Sequence, residues 1–248
     1  MNLSFLQLLK MNLRLIYRNP TGMFFTLVMP LILYTALSIL PIGRVLGSEV
    51  SYSDFVLPGI IALTIMQGGI YGLAYWFIDL KSRNVIKRFL VTPLKKSEFI
   101  ASVLISRIII ALLQLVLLSI IGWWFFGATI SGNIIFALGF AALGSAIFLL
   151  LGLIITTFAD TYEAAAPITA AIGLPLTFLG NIFYPISSLP TGLRTLAEIL
   201  PITYLVDGIR SVYLNSGSWS DWGTDAGMLL FWLVIMIVLN LWLFRLKP

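Results

Sequence analysis

The strongest constraint in this sequence is its set of long apolar runs. Stretches at about 22–40, 55–78, 100–124, 134–158, 164–184 and 226–244 are predominantly apolar and carry few charges. A helix needs roughly 20 residues to cross the ~30 Å hydrocarbon of a bilayer, where only a helix or a closed barrel satisfies its own backbone. The expectation is an all-α integral membrane protein with six transmembrane helices. With 60% hydrophobic and 10% charged residues in 248 positions, little chain remains for a water-soluble domain, so residues 1–248 read as one transmembrane domain.

Two absences narrow the chemistry. The chain has neither cysteine nor histidine, which excludes disulfides, thiolate nucleophiles, Ser-His pairs and histidine zinc sites. The phosphate-cradling pattern G-x-x-x-x-G-K-[ST] is also missing, because Lys81-Ser82 and Lys96-Ser97 have no glycine directly before the lysine. No catalytic, cofactor-binding or metal-binding residue is expected, and no nucleotide site. The opening MNLSFLQLLK lacks the basic region and cleavage site of a signal peptide and reads as mature sequence. The net charge of +5 is accounted for by basic loops, without a nucleic-acid partner.

Residues 4–18 place Gln7, Lys10, Arg14 and Arg18 at three- and four-residue steps, with Phe5, Leu9, Leu13 and Ile16 on the remaining circumference. That pattern predicts an amphipathic helix lying in contact with lipid at the membrane interface, more than an upstream flank of the first span. Asn19-Pro20-Thr21 turns the chain into the membrane. Pro30 sits inside the first span, which closes at Pro41-Ile42-Gly43 before a polar loop with Arg44, Ser48, Glu49 and Asp54. Gly68-x-x-x-Gly72 in the second span predicts a close backbone packing face. Pro167 and Pro175 should bend the fifth span. From Pro185 onward, short apolar clusters are divided by Pro190 and Pro201, with Arg194, Glu198, Asp207 and Arg210 among them. They predict two brief re-entrant helices, stabilised by the pairs Arg194–Glu198 and Asp207–Arg210.

Six crossings put both termini on one side. Of 15 Lys and Arg, only Arg44, Arg194 and Arg210 fall on the other, so the termini, Arg245 and Lys247 included, should be cytoplasmic in a multi-pass protein of the cell (inner or plasma) membrane. Trp123, Trp124, Trp219 and Trp222 should mark the outer boundary and Trp76 and Trp242 the inner one. Arg107 lies about two turns into the third span, on the face of Gln114, as a pathway charge or on a helix running past the membrane; its position favours the second. Asp160 and Glu163 read as loop charges.

The loop at 79–98 carries six of the 15 basic residues, Lys81, Arg83, Lys87, Arg88, Lys95 and Lys96, around an apolar middle of Val85, Ile86, Phe89 and Leu90. Helical spacing, stopped at Thr92-Pro93, predicts a short helix crosswise beneath the membrane with one face free for a cytoplasmic partner.

These segments resemble a family. Arg83 to Leu94 (R-x-x-x-K-R-F-L-V-T-P-L), G-N-I-F-Y-P-I-S-S-L-P from Gly180 and L-P-I-T-Y-L-V-D-G-I-R ending at Arg210 are similar to the transmembrane subunits of type-2 ABC exporters, over essentially the whole chain. The family often has an acidic residue and a glycine before the coupling segment, where this chain has Ser82 or Arg83 and Asn84; Asn tolerates the left-handed turn. The resemblance implies a coupling helix at Arg83, Val85, Ile86, Lys87, Arg88, Phe89, Leu90, Thr92 and Pro93 that seats in a separate ATPase, which the helix at Lys10, Arg14 and Arg18 also touches. It implies re-entrant helices on the outer side around Pro185, Pro190, Pro201, Asp207 and Arg210. Two copies of an ATPase, holding ATP and Mg, and a second permease copy or a related permease complete such an exporter. The expected cargo is an amphipathic or hydrophobic drug, antibiotic or lipid, with a polysaccharide or glycolipid as the alternative. An ion-coupled transporter or channel would want acids at the membrane midplane, and none of the ten falls there.

Overall fold

The computed structural model describes residues 3–40, 50–91, 95–214 and 219–243. All regular elements among them are helical: α1 (Leu3–Tyr17), α2 (Pro20–Ile39), α3 (Tyr52–Ser82), α4 (Val85–Leu90), α5 (Lys96–Phe126), α6 (Ile134–Phe158), α7 (Tyr162–Leu179), α8 (Thr191–Ala197), α9 (Pro201–Leu214) and α10 (Trp219–Leu243). Six of these, α2, α3, α5, α6, α7 and α10, are long and apolar enough to cross a membrane, as the apolar runs require. The expected features at Pro41, Ile42, Gly43, Arg44, Ser48, Glu49, Thr92, Pro93, Leu94, Arg245 and Lys247 lie outside the described residues, as do the side chains of Leu90 and Trp219.

Local chemistry sets the helix ends. Asn19 Oδ1 accepts from Gly22 N at 2.9 Å and Pro20 opens α2, where its missing N–H costs nothing. Pro30 lies inside α2 and would clash with the carbonyl of residue 26, four positions earlier. A π turn at Phe24–Val28 precedes it, and Gln114 Nε2 from α5 donates to the Thr26 carbonyl at 2.6 Å. A proline in a span is thus tolerated because its displaced carbonyl finds a partner on the next helix. Gly127, at φ 63°, ends α5.

The second span is the core of the bundle. In α3, 72% of the apolar window is buried, against 11% in α2, and α3 packs on α2, α5, α6, α7 and α9. Its closest approach is to α6: a Cβ on Gly69 would sit 2.4 Å from the Phe148 backbone, and one on Gly152 2.2 Å from the Gly69 carbonyl. Here the expected pair is corrected. Gly68 has nothing within 4 Å of its Cβ position and Gly72 faces the Arg107 guanidinium, so neither makes the backbone contact. It is Gly69, within a second π turn at Gly68–Leu73, that faces the α6 backbone instead.

Two other expectations change. The fifth span ends at Leu179 rather than 184, because Asn181 adopts φ 59° and breaks the helix. Trp222 is buried at 6% exposure against Phe136 and Phe140, ring centroids 4.7 and 6.1 Å away, so it packs helices rather than marking a boundary. Trp123, Trp124 and Trp242 remain exposed at bundle ends.

Candidate functional site

At one end of the bundle, α3 terminates in Arg83 and Asn84, whose φ of 54° supplies the left-handed turn into α4. Arg83 Nε is 2.9 Å from Asp79 Oδ1, an exposed i,i+4 pair. Lys81 Nζ lies 3.0 Å from Asp160 Oδ1 and donates to the Thr156 carbonyl, tying the end of α3 to the α6–α7 turn. Asp160 is thereby a tether; Glu163 falls in the first turn of α7.

The described side chains of α4, with Val91 just after it, divide by face. Ile86 is 3% exposed and joins Leu73, Phe77, Phe99, Val103, Leu149 and Leu153 in one apolar cluster, and the Phe89 ring packs 4.6 Å from that of Phe99. Burying these two side chains fixes α4 on α3 and α5 with about 3–5 kcal/mol of apolar transfer energy, an upper figure because Phe89 is only half-buried. Val85, Lys87, Arg88 and Val91 face outward, Val91 at 86% exposure. The sequence placed Ile86 and Phe89 among the residues free for a partner; the structure turns them inward. An apolar valine pair with two cations on an anchored helix is a surface that can bind another protein while transmitting displacement.

Near it, α1 lies along the first turns of α5. Leu8 and Asn12 are buried, and Asn12 Nδ2 donates to Ser102 Oγ at 3.1 Å. Lys10, Arg14 and Arg18 are exposed and share the opposite face, as their spacing predicts. Met11 and Leu15 are also exposed, at 45% and 53%, beside that basic face.

At the other end of the bundle stands a polar staple. Arg210 on α9 pairs with Asp207 at 3.2 Å, as its i,i+3 spacing predicts, but it also donates to the carbonyls of Asn181 at 2.8 Å and Phe55 at 3.1 Å. Its guanidinium stacks 3.8 Å from the centroid of the Phe55 ring, and Asn181 Nδ2 donates to Asp207 Oδ1. Burial pushes the Asp207 carboxyl up, against the opposing pulls of Arg210 and Asn181, and pushes Arg210 down to about 10. One side chain thus joins α9, the loop after α7 and the first turn of α3. The left-handed Asn181 was the available sequence signal for this site, since it follows a glycine in a segment of turn-forming residues.

Pro185 precedes a short 3₁₀ turn, Pro190 precedes α8, and Pro201 opens α9. The two brief helices differ. In α8 only Ala197 is buried, Leu193 and Leu196 are exposed, and Arg194 pairs with Glu198 at 2.8 Å. Most of α9 is buried on α3, α6 and α10.

A cavity of about 200 Å³ opens beside the π turn of α3, lined by Thr26, Gln67, Gly72, Arg107, Gln114 and Ser145 among others. Among the described residues, no group of three or more Asp or Glu that could hold a metal ion is present.

Comparison with known proteins gives concordant matches. A family model described as ABC-2 type transporter matches residues 4–214, from α1 to the end of α9. The chain is 28% identical over 196 residues to the inner membrane transport permease YadH of Escherichia coli (strain K12), a match covering 77% of this chain and 76% of that protein. It is 24% identical over 205 residues to Nodulation protein J of Bradyrhizobium diazoefficiens, covering 82% of this chain and 77% of that one.

Proposed function

The chain belongs to the ABC-2 type transporter family, and from that premise we propose that it is the membrane permease subunit of an inner-membrane exporter with both termini and α4 in the cytoplasm. Its cargo is an amphipathic or hydrophobic molecule, a drug, antibiotic or lipid-like compound, moved outward. ATP and Mg are held by two copies of a separate ATPase subunit, and a second permease, identical or related, completes the pathway. The chain itself carries out no catalysis.

The observation that carries this proposal is the division of α4. A helix that only closed a loop would have no need to bury Ile86 and Phe89 in the bundle while leaving Val85, Lys87, Arg88 and Val91 outside. A helix that must transmit force needs both an anchor and a free face. ATP-driven closure of the ATPase pair then moves α4 as a rigid body with the ends of α3 and α5. The basic face of α1 offers a second contact. α8 and α9 form the outer re-entrant pair, the staple holding α9 at depth.

The test is affinity purification of the tagged chain from its native membrane, followed by transport in proteoliposomes. An ABC ATPase should co-elute, and Arg88→Glu or Val91→Asp should lower its recovery by about tenfold or more without changing the permease's thermal stability. Phe89→Ala should instead lower that stability. Unchanged ATPase recovery in both outward-face variants removes α4 as the coupling element, and transport by the chain alone on an ion gradient overturns the class.

A further inference from the structure

We propose that the cavity around Arg107 is a binding site for the anionic headgroup of a membrane amphiphile, its phosphate seated on the Arg107 guanidinium. Two cavities, of about 200 and 140 Å³, adjoin here and share Ile16, Thr26 and Arg107. No aspartate or glutamate lines either.

Arg107 is chemically incomplete. A guanidinium carries five N–H donors, yet among the described residues its one specific contact is the Trp76 ring, with Cζ 5.7 Å from the centroid. That contact engages none of the five N–H groups in a hydrogen bond, and the guanidinium lines the cavity. Ser145, 2% exposed on α6 and lining the larger cavity, has a buried hydroxyl with no hydrogen-bond partner. Gln114 is already engaged with the Thr26 carbonyl. A cation without an acceptor, in a cavity that no carboxylate lines, calls for an anion; the Ser145 hydroxyl, near the middle of α6, lies deeper in the same cavity.

Depth and size identify what kind of anion. α5 has 31 residues and is therefore about 46 Å long, roughly 16 Å more than the hydrocarbon it crosses. Trp123 and Trp124 are exposed at its C-terminal end, as residues at a lipid boundary are. The excess then falls on the N-terminal end, where 16 Å is about eleven residues and brings the membrane edge to Arg107. The guanidinium thus stands at headgroup level. A space of about 200 Å³ is below the ~300 Å³ at which pockets for drug-sized ligands begin, and suits a headgroup whose acyl chains stay in lipid. Naming the leaflet as cytoplasmic rests on the orientation proposed above; the headgroup assignment does not.

The experiment is native mass spectrometry of the purified full chain with phosphatidylglycerol and phosphatidylcholine of identical acyl chains, with inorganic phosphate as competitor. Wild type should retain phosphatidylglycerol over phosphatidylcholine by about tenfold, a charge-assisted hydrogen bond's worth. Arg107→Gln should abolish the preference and Arg107→Lys keep part of it. Arg194→Gln, on exposed α8 at the other end of the bundle, should leave it unchanged. Equal retention of the two lipids by wild type, or a preference that survives Arg107→Gln, overturns the site. Displacement of the lipid by millimolar inorganic phosphate overturns the membrane source in favour of a soluble one. Neither ATPase nor transport enters the measurement, so its failure is separate from failure of the permease assignment.

Discussion

Replacing Arg210 by methionine tests whether the staple at the end of the bundle away from α4 holds the fold. The substitution keeps much of the side-chain volume but strips Asp207 of its cation and removes the donor from two carbonyls, those of Asn181 and Phe55, which belong to residues only 8% and 7% exposed. Breaking a fully buried ion pair costs about 3–5 kcal/mol, most of it the charge left behind. The Asp207 side chain is 31% exposed, so water relieves part of that charge, and the unpaired carbonyls restore some of the cost; about 2–4 kcal/mol is expected. For a chain of this length that corresponds to a fall in apparent Tm of roughly 5–15 °C. Asp207→Asn, which spares both carbonyl bonds, should cost less. The double variant Asp207→Asn/Arg210→Met should fall short of the sum of the singles by about 1 kcal/mol or more, because the two groups share one network. The assay is thermal unfolding in a single detergent at fixed scan rate, followed by tryptophan fluorescence. Single variants within 1 °C of wild type, or a strictly additive double, would show that the staple is not a structural unit.

The α3–α6 contact gives a second pair of outcomes. Gly69→Ala places a methyl against the Phe148 backbone and should destabilise by about 1–3 kcal/mol, whereas Gly68→Ala, which meets nothing within 4 Å, should be neutral or slightly stabilising in the same melt. Gln114→Leu removes the donor to the Thr26 carbonyl at 2.6 Å and should cost about 1–3 kcal/mol; replacing Pro30 by alanine in that background, so that the carbonyl can be re-paired within α2, should recover part of the loss.

What was legible in the sequence followed the range of each signal. Length and apolarity are local and strong, so all six spans were readable, as was the short α4 helix with Asn84 as its turn. The face of α4 was not. Val85 and Phe89 are four apart, Ile86 and Phe89 three apart, and either pair satisfies helical spacing; only the neighbours Phe77 and Phe99 decide that the second pair is inside. Gly68 and Gly72 failed for a different reason: with Gly69 beside them, the spacing alone does not say which glycine meets a backbone, and that is decided by Phe148 and Gly152 of α6, far along the chain. Asp207–Arg210 was readable as a local pair, yet the partners that make it a staple, Phe55 and Asn181, are separated from Arg210 by 155 and 29 positions. Separations of that size leave no periodic trace.

Taken together, the contacts make α3 the member through which the two ends of the molecule act on each other. Near its end, Leu73 and Phe77 share an apolar cluster with Ile86 of α4; in its middle, Gly69 lies against the α6 backbone; in its first turn, the Phe55 carbonyl is held by Arg210 of α9. In the proposed mechanism, a displacement delivered to α4 therefore reaches the outer helices along a packed helix rather than through loops. The π turn at Gly68–Leu73 stands between the two ends, and π turns are where long helices accommodate a change of direction at low cost. It also borders the Arg107 cavity, which Gly68, Gly69 and Gly72 help to line. In the proposed mechanism, a change in bend at this turn alters the shape of the cavity and the tilt of the Phe55 end of α3 in one movement, so that the proposed headgroup binding and ATPase-driven motion meet on one helix segment.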